Sequence, residues 1–93
     1  MKKEQTNEVK MFVDSITGKK YTKTFSSKSE TLHIRIGTYV DSVKDTEKEW
    51  IADKENERQD IINQLQKKFP QYDISKNNKR YQGFINDICI AVK

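Results

Sequence analysis

The chain has 93 residues, 33% of them hydrophobic and 34% charged, and its formal net charge is +4. This length accommodates one small basic domain over residues 1–93, because a second core would fall below the size that folds unaided. The single cysteine excludes an intramolecular disulfide and favours a reducing compartment.

The N-terminal region is predicted to form a β-hairpin after a flexible start. Residues 1–7 read MKKEQTN, which is strongly polar, and we expect them to be flexible. Residues 9–14 (VKMFVD) predict a strand, and Gly18 provides the positive φ that a tight turn needs. Residues 20–25 predict the return strand, with Tyr21 and Phe25 facing inward.

The clearest strand is predicted for residues 31–40. Leu32, Ile34 and Ile36 alternate there with polar residues, so one face of the strand is expected to be buried. The polar positions are Thr31, His33 and Arg35. Gly37 either adds a bulge to this strand or ends it.

A long helix is predicted from about residue 46 to about residue 68. Thr46 and Glu49 match a capping box, and the Phe69-Pro70 pair ends the helix. Residues 53–60 contain no apolar side chain. The pattern therefore fits either one helix or two helices with a break near Asn56.

A second helix is predicted for the C-terminal region. Its apolar residues fall on one helical face: Tyr81, Phe84, Ile85, Ile88, Cys89 and Val92. Because residues 88–92 (ICIAV) are also rich in β-forming side chains, a strand over these residues is the alternative.

Together these elements predict an α+β domain. Its small antiparallel β-sheet consists of the N-terminal hairpin and a third strand, and a long helix and a C-terminal helix pack on it. The alternative is a winged helix-turn-helix, in which the final helix enters a groove of DNA and the hairpin acts as the wing.

The sequence contains no pattern that indicates catalysis or metal binding. Its three glycines are isolated, which argues against a phosphate-binding loop. His33 is the only histidine, and Cys89 is predicted to be a small core residue on an apolar helical face. We therefore expect that the protein is not an enzyme and that it uses no cofactor or metal.

Charge alternates along the chain. Residues 44–60 carry four positive and seven negative charges, whereas residues 19–43 and 61–93 are net positive. Lysines at phosphates give salt-dependent, sequence-independent binding, and an aromatic ring beside them stacks on unpaired bases. The predicted nucleic-acid-binding residues are Lys19, Lys20, Lys23 and Lys28 on the hairpin, His33 and Arg35 on the third strand, and Lys67, Lys68, Lys76, Lys79, Arg80 and Tyr81 near the last two helices.

These features predict a non-catalytic nucleic-acid-binding protein with an accessory or regulatory role, and DNA is favoured over RNA as the partner. Lysine outnumbers arginine fifteen to three, which is typical of AT-rich genomes and indicates a phage or another mobile element. With no apolar segment long enough for a leader or a bilayer span, we expect a cytoplasmic protein without membrane contact.

The second hypothesis is a small adaptor or inhibitor that binds another protein. Trp50 and Ile51 lie in a segment with few apolar neighbours. Trp50 either anchors the domain's own sheet or forms a hot spot for a protein partner, which would dock through this helix or through the sheet edge.

Residues 31–69 resemble the ribbon-helix-helix family of DNA-binding repressors. The resemblance assigns residues 32–36 (LHIRI) to the ribbon strand, residues 39–53 to the first helix and residues 57–69 to the second. It implies a homodimer, because the family pairs this strand with its copy from a second subunit. It also implies that the outward side chains read base edges in the major groove: Thr31, His33 and Arg35.

Overall fold

The computed structural model describes the backbone of residues 1–40, 47–80 and 83–93, and the side chains of residues 1–37, 51–77 and 86–93. Two helices and four strands follow one another in the order αββαββ. Their bounds are α1 Lys3–Thr17, β1 Thr22–Ser26, β2 Thr31–Val40, α2 Glu47–Lys68, β3 Tyr72–Arg80 and β4 Gly83–Val92. The prediction of an α+β domain with a small antiparallel sheet is confirmed.

The four strands form one sheet in the order β1-β2-β4-β3, with every neighbouring pair antiparallel. The strand predicted for residues 31–40 is present as β2. Its register against β4 shifts between Arg35 and Gly37, which confirms the bulge and excludes an early end of the strand. The two αββ halves of the molecule meet where β2 pairs with β4.

The prediction of a strand over residues 9–14 is wrong, because these residues belong to α1. Thr6, Val9 and Val13 are buried at the spacing of a helical stripe. Gly18 adopts a φ of 66° and donates its N–H to the Asp14 carbonyl at 2.9 Å, so it caps the helix where a hairpin turn was expected. The hairpin partner of β1 is therefore β2. The expected flexibility of residues 1–7 stays a prediction, although α1 begins at Lys3.

The prediction of a C-terminal helix is also wrong, and with it the winged helix-turn-helix alternative. Residues 72–92 form the β3–β4 hairpin, so the strand alternative for residues 88–92 is confirmed. In β4 the fully buried Ile88 and Ile90 alternate with Asp87 and Cys89 on the other face of the sheet. Cys89 is consequently half-buried on that opposite face, outside the apolar core.

Both helices pack on one face of the sheet. The predicted long helix is confirmed as the single helix α2, so the break near Asn56 does not occur; Thr46, which begins the expected capping box, lies outside the described residues. Phe12 of α1 contacts Phe69 edge-to-face at 5.5 Å, which joins the two helices over the sheet. The core comprises Val9, Val13, Leu32, Ile34, Ile36, Ile61, Ile62, Leu65, Phe69, Tyr72, Ile74, Ile88 and Ile90.

Two further observations bear on the sequence predictions. Strand β2 pairs with β1 on one edge and β4 on the other, and it continues to Val40, where the ribbon-helix-helix resemblance places a helix. Membership of that family stays a prediction. No described helix combines the length and the apolar character that a membrane span needs.

Candidate nucleic-acid interface

Four chain segments meet at one end of the sheet because successive elements run in opposite directions. They are the start of α1, the β1–β2 turn, the α2–β3 connection and the end of β4. Met1, Lys3 and Phe25 line one surface hollow there. Gln66, Pro70 and Lys93 line another. We call this surface the basic end, and its lysines are Lys2, Lys3, Lys28, Lys67, Lys68 and Lys93.

The six lysines of the basic end are exposed, and none forms an ion pair with the residues that the structure describes. Three carboxylates, those of Glu4, Glu30 and Asp73, lie on the same segments, so the surface is net positive. Lys67 and Lys68 in the last turn of α2 also interact favourably with the helix dipole. Lys2 and Lys3 stand at the start of α1, where the same dipole disfavours a positive charge.

The lysines predicted on the N-terminal hairpin are separated by the fold. Lys28 lies in the β1–β2 turn at the basic end, whereas Lys19 and Lys20 precede β1 at the opposite end. The Lys23 ammonium, whose side chain is only 10% exposed, donates to Asp14 of α1 at 2.7 Å. The Lys23 charge is therefore engaged within the fold, and its contact with phosphates stays a prediction.

Lys19 contributes to a charge cluster that joins the two halves of the molecule. The Glu57 carboxylate of α2 accepts hydrogen bonds from the Lys19 ammonium and the Tyr21 hydroxyl, both at 2.6 Å, and from Lys54 at 3.1 Å. Burial by itself would raise the pKa of this carboxyl, but the three hydrogen bonds outweigh it and hold the pKa at about 2, below its ordinary 4.5. Burial and the adjacent carboxylate raise the pKa of the Tyr21 phenol.

The predicted C-terminal basic cluster is divided as well. Lys67 and Lys68 belong to the basic end, while Lys76 is exposed on the edge strand β3. Tyr81 and the side chains of Lys79, Arg80 and Trp50 lie outside the described residues, so the interpretations placed on them stay predictions. Ile51, predicted to contact a protein partner, is half-buried on α2.

The face of the sheet opposite the helices presents polar side chains in three cross-strand rows. His33 and Arg35 lie there, as the alternation in β2 predicts. His33 is the one ring in these rows, so the rows offer no series of rings on which successive bases would stack. From β1 to β3 the rows are Thr22, Arg35, Asp87 and Asn77; Thr24, His33, Cys89 and Ser75; and Ser26, Thr31, Ala91 and Asp73.

A hollow in this open face is lined by Thr22, Thr24, His33, Arg35 and Asp87. The Arg35 Nε donates to the Asp87 carboxylate at 3.1 Å. The Asp87 side chain is only 3% exposed, because the sheet and the guanidinium cover it. Beside this pair, the His33 Nδ1 lies 3.2 Å from the Sγ of Cys89, its neighbour on β4.

A buried polar network lies behind the hollow, between α2 and β4. Arg58 is fully buried, and its guanidinium donates to the Asp87 carbonyl oxygen at 3.1 Å and to Glu55. The Asn86 amide also donates to Glu55, at 2.8 Å. Arg58 holds the backbone of β4 in place at the residue that fixes Arg35.

Some of these residues carry a sequence signal and others do not. Arg58 stands three, four and seven positions before the core residues Ile61, Ile62 and Leu65, so helical spacing places it on the buried face. The Lys2-Lys3 pair and Lys93 lie far in the sequence from Lys28, Lys67 and Lys68, and only the topology brings them to the same end of the sheet.

The described residues include no group of three or more histidine, cysteine, aspartate or glutamate side chains that would hold a metal ion. Two surfaces of the described residues bear on the predicted nucleic-acid binding, the lysine-rich basic end and the polar open face of the sheet. No family model, curated protein or solved structure matches the chain.

Proposed function

We propose that this protein binds nucleic acid without catalysis, and that the basic end supplies its phosphate contacts. The observation that carries the proposal is the convergence of six exposed lysines from four chain segments, none ion-paired with a described residue. Lysine ammonium groups act as point charges on phosphates, so this surface suits binding that depends little on base sequence.

The placement of charge at the start of α1 supports a binding role. Acidic residues stabilise the first turn of a helix, yet Lys2 and Lys3 occupy the start of α1 beside a single acidic residue, Glu4. The two lysines lower the stability of the helix and raise the positive charge of the basic end. Stability alone gives no reason for their position, whereas phosphate binding does.

Double-stranded DNA is the proposed partner. Four strands spaced about 4.8 Å apart make the end of the sheet roughly 15 Å wide, which spans several phosphates of a duplex. Single-strand binders combine basic grooves with a series of stacking rings. By contrast, among the described residues the aromatic rings that line the two hollows of the basic end are Phe25 and the buried Tyr72, and His33 is the one ring in the open-face rows. An accessory or regulatory role in a phage or mobile element stays part of this proposal.

Fluorescence anisotropy with a labelled duplex, titrated at several salt concentrations, tests the proposal. Lys28→Gln/Lys67→Gln removes two charges from the basic end, and Lys20→Gln/Lys76→Gln removes two exposed charges elsewhere. We expect the first variant to reduce the slope of log affinity against log salt by about 2, because each phosphate contact contributes about 0.9. The second variant should retain nearly the wild-type slope.

Two outcomes would contradict the proposal. Absence of duplex binding at low salt, where electrostatic attraction is strongest, would exclude it. Equal losses in the two double variants would show that net charge, and not the basic end, determines binding. A labelled single strand of the same length supplies the comparison of strandedness, and tighter binding of the single strand would overturn the duplex as partner.

A protein-binding adaptor or inhibitor is the second candidate, and the sheet edges favour it. Within the described residues, strands β1 and β3 each pair with one neighbour, and β3 extends over nine residues. An extended segment of a partner would add to such an edge through backbone hydrogen bonds. This mode predicts a modest salt dependence and slower hydrogen exchange in β3 with the partner bound; Trp50→Ala tests the other docking route.

A further inference from the structure

The hollow of the open sheet face has the chemistry of an oxyanion site. We propose that it binds a phosphate group through Arg35, His33, Thr22 and Thr24. It lies on the open face and is distinct from the lysines of the basic end, so it goes beyond the proposed function. Its volume of about 170 Å³ is below the roughly 300–1,000 Å³ of sites for larger organic ligands, which suits a small anion.

Arg35 is the principal donor. Its Nε is occupied by Asp87, while its two terminal nitrogens make no hydrogen bond with the described residues. The side chain is 42% exposed and lines the hollow. Because a guanidinium is a planar fork, the N–H groups of its two terminal nitrogens remain to bind two oxygens of one anion.

His33 and two threonines complete the set of donors. When the Cys89 thiol donates to the His33 Nδ1, the imidazole proton resides on Nε2, which then donates to a ligand. The hydroxyls of Thr22 and Thr24 make no hydrogen bond with the described residues and line the same hollow. Donors from two strands thus surround one small space, as a tetrahedral anion with several oxygens requires.

The hollow is preorganised from behind. Asp87 fixes the Arg35 guanidinium through its side chain, and Arg58 fixes the Asp87 carbonyl from the opposite face of the sheet. The Asp87 carboxylate also offsets the Arg35 charge, so binding rests on hydrogen bonds more than on net attraction. We therefore expect a dissociation constant of about 1 mM for inorganic phosphate.

Nuclear magnetic resonance of the His33 ring tests this site, because the chain contains one histidine. Inorganic phosphate is titrated into the full chain at constant ionic strength, with chloride as the control anion. We expect a saturable shift with phosphate and none with chloride. Arg35→Gln should weaken binding by at least about tenfold. Lys28→Gln, at the basic end, should leave it unchanged.

Arg35→Gln leaves Asp87 without its cation and is the variant most prone to misfold. Thr24→Val therefore serves as the second variant, because it removes a donor and keeps the Arg35–Asp87 pair. A weaker phosphate response in Thr24→Val supports the site. A shift that does not saturate, an equal response to chloride, or equal losses in Arg35→Gln and Lys28→Gln would overturn it.

The source of the phosphate is identified by competition. An oligonucleotide with a 5′-phosphate that displaces inorganic phosphate from His33, while its 5′-hydroxyl counterpart does not, assigns the hollow to a nucleic-acid end. Displacement by a small phosphorylated sugar alone assigns it to free metabolites. Whether the basic end binds DNA is measured separately, by titrating the Lys28→Gln/Lys67→Gln variant with duplex. Each proposal can therefore be contradicted without affecting the other.

Discussion

The two αββ halves of the molecule have the same order of elements but are held together differently. In the first half, α1 packs through the apolar residues Val9 and Val13, and its one ion pair across to β1, Lys23–Asp14, lies at the sheet edge. In the second half, α2 buries apolar residues and also Arg58, which hydrogen-bonds the backbone of β4. The first helix is therefore positioned by apolar packing and one ion pair at the sheet edge, whereas the second is also held by a buried polar network.

This difference has a physical consequence for specificity. Apolar contacts tolerate small shifts of a helix, because the hydrophobic effect has no direction. A buried guanidinium allows one arrangement, since a shift that breaks its hydrogen bonds leaves a buried charge without compensation. We therefore expect the position of α2 on the sheet to be fixed, and the position of α1 to adjust to it.

Arg58→Ala should give the largest effect. Removing one partner of a buried ionic network costs about 3–5 kcal/mol, and the Asn86 and Asp87 groups would lose a partner or a neighbour inside the protein. Urea unfolding followed by circular dichroism measures the loss. Arg58→Met keeps much of the side-chain volume and should lose less. Equal, small losses in both variants would show that the network contributes little.

Core truncation compares the two halves directly. Leu65→Ala in α2 should cost about 2–5 kcal/mol, because this fully buried side chain leaves a cavity. Val13→Ala in α1 removes less volume and should cost about 2 kcal/mol. The same urea experiment measures both. A greater loss for Val13→Ala would reverse the assignment of the second half as the more constrained one.

Glu57 connects the halves, and its titration gives a smaller, pH-dependent effect. Its folded pKa of about 2 lies below the ordinary 4.5, so its contribution to stability is present above pH 4.5 and is lost as the pH falls toward 2. Because Lys19 is 59% exposed and water screens the pair, we expect about 1 kcal/mol.

Glu57→Gln isolates this contribution. The variant should be less stable at neutral pH, and its stability should fall less than that of the wild type between pH 4.5 and pH 2. Parallel stability profiles for the two proteins over this interval would mean that other carboxylates account for the acid sensitivity. Thermal unfolding at a series of pH values makes the comparison.

The lysines of the basic end should have the smallest effect on stability. Lys28→Gln and Lys67→Gln, one from each half, should each change the free energy of unfolding by less than about 0.5 kcal/mol, since the side chains are exposed. Urea unfolding checks this. A larger loss would mean that the lysines serve the fold, and a lowered DNA affinity in these variants would then need another explanation.

The sequence predicts those parts of the fold in which local patterns have one interpretation. The apolar alternation of Leu32, Ile34 and Ile36 gives β2, and the Phe69-Pro70 stop gives the end of α2. The sequence of α1 is ambiguous because VKMFVD alternates like a strand. The helical stripe that would distinguish it is weak, since only two apolar residues of α1, Val9 and Val13, are fully buried. Strand β4 is ambiguous because its apolar residues fit periods of both 2 and 3.6.

The candidate sites are less predictable, because they depend on which segments the topology brings together. The alternation in β2 places His33 and Arg35 on one open face, but nothing local pairs them with Cys89 and Asp87 of β4. Lys28 and Lys67 are 39 positions apart, and only the alternating chain direction brings their segments to one end. The pairing of Lys23 with Asp14 required α1, which the sequence pattern did not reveal.

The position of β4 has a consequence for how the protein is made. This strand follows the other three in the chain, yet it lies between β2 and β3 in the sheet. During translation the ribosome releases both edge strands and one central strand before the strand that joins them. Until then, the inner edge of β2 lacks its partner and is open to chaperones or to strands of neighbouring nascent chains. Assembly of the four-stranded sheet must therefore await the synthesis of residues 83–92.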